Sequence, residues 1–160
     1  MPIAAGEKVP SATLMEMTDS GPNAVKTDDL FAGKTVALFA VPGAFTPTCS
    51  AKHLPGFIEK SGALHEKGVD EIVCLAVNDV FVMDAWGKSA GAGDHVRMLA
   101  DGNGDFTRAL GLEFDGSQFG MGLRSQRFSF IAKDGVITEL FVEDGGEFRV
   151  SSAEHMLQAL

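Results

Sequence analysis

Short apolar runs alternate along the chain with segments of helical spacing. Thr35 to Val41 (TVALFAV) and Glu71 to Val77 (EIVCLAV) are apolar at nearly every position, which is typical of strands buried on both faces. Pro47 to Lys67 lies between them with helical spacing, and Pro55-Gly56 inside it predicts two helical pieces rather than one. We therefore expect parallel strands connected through helices.

The second half of the chain extends this alternation and then changes to antiparallel pairing. Its first elements are a helix over Val80–Lys88, a short strand over His95–Ala100 and a helical turn over Asp105–Leu110. Two strands, Gln126 to Ala132 and Val136 to Val142, are joined by Lys133-Asp134-Gly135, a hairpin pattern. Ser151-Ser152-Ala153-Glu154 then predicts the N-cap of a closing helix. This order predicts an α/β protein with a thioredoxin-like fold, a mixed sheet flanked by helices on both faces.

Composition narrows the class of protein. With 160 residues, 45% of them hydrophobic, the chain is long enough for one domain spanning residues 1–160. A formal net charge of −9 argues against a general affinity for nucleic acid or anionic membranes. The N-terminus lacks a secretory pattern, and no apolar run approaches the roughly 20 residues of a membrane helix. We expect a cytoplasmic protein.

The candidate chemistry lies in VPGAFTPTCS, where a predicted buried strand ends and a helix begins. Thr46 and Pro47 are suited to the N-cap and first helical position, which places Cys49 in the first turn. The backbone amides and the helix dipole there stabilise a thiolate, the reactive form of cysteine. The alternative is that Cys49 is a small buried hydrophobic residue.

The neighbours of Cys49 carry a family resemblance. Pro42, Thr46 and Cys49 match the Pro-x-x-x-Thr-x-x-Cys motif of peroxiredoxins, and PGAFTPTCSAKHLPGF resembles the type II (five-type) subfamily. Further similar segments are GVDEIVCLAVND, FVMDAW, FGMGLRSQRFSF and VEDGG. The resemblance implies a thiol peroxidase that reduces hydrogen peroxide and alkyl hydroperoxides through a sulfenic acid on the cysteine.

The resemblance also implies a role for each site residue. Thr46 would hydrogen-bond the thiolate and align the peroxide, while Pro42 would shield the pocket. Arg127 matches the family's arginine, which stabilises the thiolate and binds the substrate oxygens. Arg124 is expected on the opposite face of the strand as a solvated surface charge.

The second cysteine leaves the recycling step open. Cys74, inside the apolar run IVCLAV, is either an inert core thiol or the resolving cysteine assigned at this place in similar plant proteins. Animal relatives use a resolving cysteine near the C-terminus, whereas residues 141–160 contain none. We expect recycling of Cys49 by glutathione and glutaredoxin, with thioredoxin as the alternative reductant.

Weaker sequence patterns bear on partners, cofactors and metals. Type II relatives commonly dimerise around the active site, so four aromatic residues are candidates for a homodimer interface or for the core. They are Phe45, Phe81, Trp86 and Phe119. No cofactor is expected, because Gly91-Ala92-Gly93 lacks the strand and helix of a dinucleotide loop. No metal is expected either, since the EF-hand-like Asp101, Asn103 and Asp105 are followed by Phe106 in place of glycine.

Two other functions compete with peroxide reduction. His53 follows Cys49 by four residues, on the same face of a regular helix, so a Cys–His hydrolase is one alternative. Loss of activity on His53→Ala but not on Arg127→Ala would favour it. If His53 is not part of such a dyad, we expect it either to lie behind the residues that contact the substrate or to be exposed to solvent. The other alternative is a redox-sensing or chaperone-like dimer, which slow turnover with saturating glutathione and glutaredoxin would favour.

Overall fold

A seven-stranded mixed sheet forms the centre of the structure, a computed structural model that describes residues 2–160. Its strands lie in the order β2-β1-β5-β4-β3-β8-β9, and β6 and β7 form a separate two-stranded sheet. The strands are β1 (Thr13–Thr18), β2 (Gly21–Lys26), β3 (Thr35–Val41), β4 (Glu71–Ala76), β5 (Arg97–Ala100), β6 (Glu113–Asp115), β7 (Leu123–Ser125), β8 (Phe128–Lys133) and β9 (Val136–Val142). Strands β3, β4 and β5 are parallel, and the remaining pairs are antiparallel.

Helices cover both faces of this sheet. They are α1 (Thr27–Phe31), α2 (Leu54–Glu59), α3 (Ser61–Glu66), α4 (Val80–Ala90), α5 (Asp105–Leu110) and α6 (Ala153–Ala159), with a π-helix at Cys49–His53 and a 3-10 helix at Ser117–Phe119. Alternate residues of β3 point to opposite faces. Phe39 belongs to the buried cluster that includes residues of α2, α3, α4 and α6, and Leu38 belongs to the cluster that includes residues of α1 and α5. The expected mixed sheet between two helical layers is confirmed.

Several local features differ from the sequence prediction, and three of them show why. The helix continues through Pro55, which occupies an early position of α2, and breaks at Lys60 instead. Proline is tolerated there because Pro55 directly follows the π-helix over Cys49–His53, where the ladder of i→i−4 hydrogen bonds that a proline would break is already interrupted. The predicted strand over Gln126–Ala132 begins two residues later, at Phe128. The hairpin of β1 and β2 has no counterpart in the prediction, because β2 is almost wholly exposed and lacks an apolar stripe.

Strand register brings distant segments to one edge of the sheet. Phe128, the first residue of β8, pairs with Ala40 near the end of β3, and it also pairs with Val142, the last residue of β9. Arg127 therefore lies beside the loop that follows β3, and Glu143 lies beside Arg127, to whose carbonyl it donates an amide hydrogen bond of 2.9 Å. In the described chain, no helix is long and apolar enough to cross a membrane.

Candidate active site

The helix that carries Cys49 begins at Pro47, directly after Thr46, as the sequence predicts. Its first hydrogen bond is α-helical, from the Ser50 amide to the Thr46 carbonyl at 2.9 Å. The helix then continues as a π-helix, in which the amide of Leu54 donates to the carbonyl of Cys49, five residues back. Short π segments of this kind recur at functional sites. The Cys49 side chain is fully buried, so its chemistry is governed by the few protein groups that contact it.

Two polar groups contact the sulfur of Cys49. Thr46 Oγ1 lies 2.8 Å from Sγ, and Nη2 of Arg127 donates to Sγ at 3.0 Å. Thr46 Oγ1 also lies 2.8 Å from the carbonyl oxygen of Gly43. A hydroxyl has one proton, so it donates either to the sulfur or to the carbonyl. Donation to the sulfur suits the thiolate, whereas a protonated thiol donates to the hydroxyl, which then turns to Gly43.

Arg127 spreads its guanidinium over two partners. Nη2 contacts Cys49, and Nη1 lies 2.8 Å from Nδ1 of His53. The ring of Phe148 lies beneath the guanidinium, with Cζ 5.9 Å from the ring centroid. Among residues 2–160, no carboxylate forms a salt bridge with Arg127, although its side chain is buried. The sulfur of Cys49 is therefore the group in contact with Arg127 that can carry a balancing negative charge.

His53 is buried and neutral. Burial and the charge of Arg127 lower the pKa of His53 to about 3, although the hydrogen bond to Ser151 opposes the shift. Its Nε2 lies 2.9 Å from the carbonyl oxygen of Ser151, which can only accept, so Nε2 holds the proton and Nδ1 accepts from Arg127. Both ring nitrogens are thus engaged away from Cys49. The structure places His53 behind Arg127 rather than in a Cys–His dyad or in solvent.

The loop before the helix is held by several groups. Pro42, half-buried, directly follows β3, and the amide of Ala44 donates to Oδ1 of Asn78 at 2.9 Å. Phe45 has φ of 65°, a left-handed conformation that is uncommon for a bulky residue and often marks functional sites. Behind the helix, Nε1 of Trp86 donates to Oγ of Ser50 at 3.1 Å.

Arg124 is not the solvated surface charge that the sequence predicts. It is half-buried, and it donates to the carbonyls of Met121 at 2.9 Å and Val77 at 3.1 Å. The prediction was wrong because it assumed one strand through both arginines, whereas Arg124 belongs to β7 and Arg127 precedes β8. Arg124 thus links the loop after β4 to the loop after the 3-10 helix.

Cys74 lies within β4, opposite Phe39 of β3. Its side chain is fully buried, and neither cysteine is in a disulfide. Burial raises the pKa of Cys74 well above its ordinary value, the nearby Cys49 adds to the rise, and Arg127 partly offsets it. Cys74 is therefore a protonated thiol, a poor nucleophile.

The four aromatic interface candidates separate into two groups. Phe45, Phe81 and Phe119 are 52%, 63% and 63% exposed, respectively, whereas Trp86 is 1% exposed. Trp86 therefore belongs to the core and is removed from the interface candidates, because a side chain this buried has no surface for a second chain. Within residues 2–160, no group of three or more His, Cys, Asp or Glu side chains is arranged to hold a metal ion.

Four residues around the site escaped the sequence prediction or were underestimated: His53, Glu143, Phe148 and Ser151. The last three lie in the segment after β9, where the printed pattern VEDGGEFRVSSAE shows turn residues and a helix N-cap. Turn residues and an N-cap do not indicate that the segment after β9 folds back over Arg127. The segment VEDGG contributes to the family resemblance, and that is the one available signal.

Known proteins resemble this chain over its whole length. The Redoxin family profile matches residues 4–157. Peroxiredoxin-2E-2, chloroplastic, from Oryza sativa subsp. japonica is 56% identical, covering 99% of this chain and 72% of the relative. Peroxiredoxin-2B from Arabidopsis thaliana is 52% identical, covering 99% of both. The crystal structure of reduced Prx3 from Vibrio vulnificus in complex with hydrogen peroxide superposes with a TM-score of 0.95 at 53% identity, covering 98% of both chains.

Proposed function

The chain belongs to the peroxiredoxin family and is a thiol peroxidase, and we propose that Cys49 is the thiolate with which it reduces hydrogen peroxide and alkyl hydroperoxides. The observation that carries this proposal is the double contact on Sγ of Cys49, from Thr46 at 2.8 Å and from Arg127 at 3.0 Å. A buried guanidinium without a carboxylate partner stabilises a thiolate, and it also offers donors to peroxide oxygens.

The proposed reaction begins with attack of the Cys49 sulfur on one peroxide oxygen. The sulfur supplies the electron pair of the new S–O bond, the O–O bond breaks, and a proton is transferred to the leaving oxygen. The products are a sulfenic acid on Cys49 and water, or an alcohol from an alkyl hydroperoxide. Thr46 and Arg127 hold the reacting atoms in line and receive the negative charge on the oxygens, and Pro42 shields the pocket. The hydrogen peroxide bound to the Vibrio vulnificus relative supports this choice of substrate.

We assign the recycling step to an external thiol. Glutathione attacks the sulfenic acid, which releases water and leaves a mixed disulfide, and glutaredoxin with a second glutathione then restores the Cys49 thiolate. Two features support this order: Cys74 is a buried, protonated thiol, and residues 141–160 contain no cysteine. Because Cys49 is buried, a tripeptide thiol reaches it only when the first helical turn opens. A reducing compartment such as the cytoplasm suits this chemistry.

The proposed assembly is a homodimer. Exposed large aromatic side chains are enriched at protein interfaces, and Phe45, Phe81 and Phe119 are each more than half exposed. Phe45 also lies in the loop that precedes Cys49, which places part of this surface next to the active site. Sedimentation of Phe81→Ser and Phe119→Ser tests the assignment: the variants should sediment as monomers where the wild-type protein sediments as a dimer.

Peroxide consumption under alternative reductants tests the enzymatic proposal. Glutathione with glutaredoxin should sustain turnover by the wild-type protein, and Cys49→Ser should have no activity above background. Activity in Cys49→Ser would contradict the assignment of the thiolate. Turnover with thioredoxin and its reductase, but not with glutathione and glutaredoxin, would leave the thiolate assignment intact and overturn the recycling proposal.

A further inference from the structure

A buried carboxylate without a counter-ion lies just behind the candidate site. Glu143 follows β9 and is 6% exposed, and in the described chain no salt bridge reaches it. Its oxygens accept hydrogen bonds from the Arg149 amide at 2.9 and 2.8 Å, and from the Ser151 amide and hydroxyl at 2.7 Å each. A carboxylate buried in this way costs free energy unless its hydrogen bonds are well formed, so its presence at this position requires an explanation.

The hydrogen bonds of Glu143 lead to Cys49 through three residues. Glu143 holds the backbone at Ser151, whose carbonyl accepts from Nε2 of His53 at 2.9 Å. That bond fixes the proton on Nε2, and the free Nδ1 then accepts from Nη1 of Arg127 at 2.8 Å. The other terminal nitrogen of Arg127 donates to Cys49 at 3.0 Å. Each group in this series sets the orientation of the next.

Glu143 also acts on Arg127 from a second direction. Its own amide donates to the carbonyl of Arg127 at 2.9 Å, which continues the β8–β9 ladder by one pair. Between Glu143 and Ser151 the chain carries Phe148, whose ring lies against His53, with centroids 5.0 Å apart, and beneath Arg127. One carboxylate therefore anchors the segment that supplies both the hydrogen-bond acceptor and the aromatic support of the Arg127–His53 pair.

From these contacts we propose that Glu143 is a positioning residue for peroxide reduction, which orients Arg127 toward Cys49 through Ser151 and His53. The inference rests on the proposed function, in which Arg127 acts on the Cys49 thiolate. The charge state of Glu143 agrees with this role. Burial by itself raises the pKa of Glu143, but the hydrogen bonds from Ser151 and the Arg149 amide outweigh it and hold the pKa below its ordinary value. The carboxylate is ionised at neutral pH and accepts every bond offered to it.

Glu143→Gln is the variant that tests the proposal. It keeps the size of the side chain but replaces one acceptor oxygen with an NH₂ group, which must then face a backbone amide donor. Glu147→Gln is the matched control, because it removes the same charge from an exposed position in the same segment. Among residues 2–160, the one ion pair of Glu147 is with the exposed Arg149, at 3.6 Å. A surface pair of this kind contributes little.

Two measurements on the full-length reduced protein separate positioning from simple loss of stability. The first is the single-turnover rate with hydrogen peroxide, followed by the fluorescence of Trp86, the one tryptophan of the chain, which hydrogen-bonds to Ser50 next to Cys49. The second is the pair of ¹⁵N chemical shifts of the His53 ring, which report its tautomer. Both measurements are made well below the melting temperature of each variant. A lower melting temperature alone therefore changes neither the reaction rate nor the chemical shifts.

We expect Glu143→Gln to react about tenfold more slowly with peroxide, because a small misplacement of a positioned group has a large effect on rate. The His53 shifts should change from one tautomer toward an exchange average, and Glu147→Gln should stay within about twofold of the wild-type rate. Wild-type rate and shifts in folded Glu143→Gln would overturn the proposal, as would an equal fall in Glu147→Gln.

A second variant covers the case in which Glu143→Gln does not fold. Ser151→Ala removes only the hydroxyl bond to Glu143 and keeps the carbonyl that faces His53. A slower reaction and altered His53 shifts in Ser151→Ala would support the proposal, and wild-type values would overturn it. The wild-type protein in the same assay tests the proposed function separately. If it does not react with peroxide at Cys49, the proposed function fails; if it reacts and the variants behave as wild type, only the Glu143 inference fails.

Discussion

Arg127 and His53 are joined by a hydrogen bond of 2.8 Å between Nη1 and Nδ1, and the acceptor is a neutral imidazole rather than a carboxylate. A carboxylate here would neutralise the guanidinium. The imidazole accepts one hydrogen bond and leaves the positive charge uncompensated, next to the sulfur of Cys49. The pair therefore orients Arg127 without weakening its effect on the thiolate proposed for Cys49.

Arg127→Lys should lower the rate of peroxide reduction by about 10²- to 10³-fold, in the range seen when a donor to a developing oxyanion is lost. Lysine keeps the charge but lacks the planar fork that contacts Cys49 and His53 together. The measurement is the second-order rate constant of the reduced protein with hydrogen peroxide. Arg149→Lys, at an exposed position, is the control and should behave as wild type. A change of less than about threefold in Arg127→Lys would contradict the role given to the fork.

Thr46→Val and Thr46→Ser should have opposite outcomes. Valine has nearly the same shape as threonine but lacks the hydroxyl that contacts Cys49 and Gly43, so we expect a rate at least about tenfold lower. Serine keeps the hydroxyl and should retain most of the rate. Stopped-flow reaction with peroxide measures both. A wild-type rate in Thr46→Val would show that the hydroxyl of Thr46 takes no part in the reaction.

The buried His53 predicts a specific dependence of stability on pH. Its pKa is about 3 in the folded protein and 6.5 ordinarily, so between these values the unfolded chain binds a proton that the folded chain does not. The free energy of unfolding therefore falls as the pH drops below 6.5. Relative to His53→Gln, which does not titrate, the wild-type protein should lose about 2 kcal/mol between pH 7 and pH 5.

Urea unfolding of both proteins at several pH values measures this difference. The other three histidines are present in both proteins, so any contribution they make to the difference cancels. They are His65, His95 and His155. A stability difference that stays constant from pH 7 to pH 5 would mean that His53 titrates normally and is not held neutral by burial and Arg127.

Cys74→Ala should retain turnover with glutathione and glutaredoxin within about twofold, because Cys74 is a buried, protonated thiol in β4 and takes no part in the proposed cycle. It should lower the free energy of unfolding by about 1 kcal/mol, since it leaves a small cavity. Mass spectrometry of the wild-type protein after peroxide treatment without reductant should show no disulfide between Cys49 and Cys74. Finding that disulfide, together with loss of turnover in Cys74→Ala, would assign Cys74 the resolving role.

The sequence predicted the parts of the site that depend on local pattern or on a motif. Helix-start residues placed Cys49 next to Thr46, and the resemblance supplied Arg127, whose position depends on the antiparallel register of β8 against β3. The segment around Glu143 and Phe148 was not predicted, because its residues pair with groups far away in the chain and follow no periodicity. The hydrogen bonds of Arg124 to the carbonyls of Met121 and Val77 were not predicted for the same reason.

The most direct test of the central claim is to identify the oxidised residue. Reduced protein is treated with one equivalent of hydrogen peroxide in the presence of dimedone, which traps sulfenic acids, and the peptides are analysed by mass spectrometry. We expect the dimedone adduct on Cys49, with Cys74 unmodified, and no adduct in Cys49→Ser. An adduct on Cys74, or peroxide consumption by Cys49→Ser at the wild-type rate, would contradict the central claim.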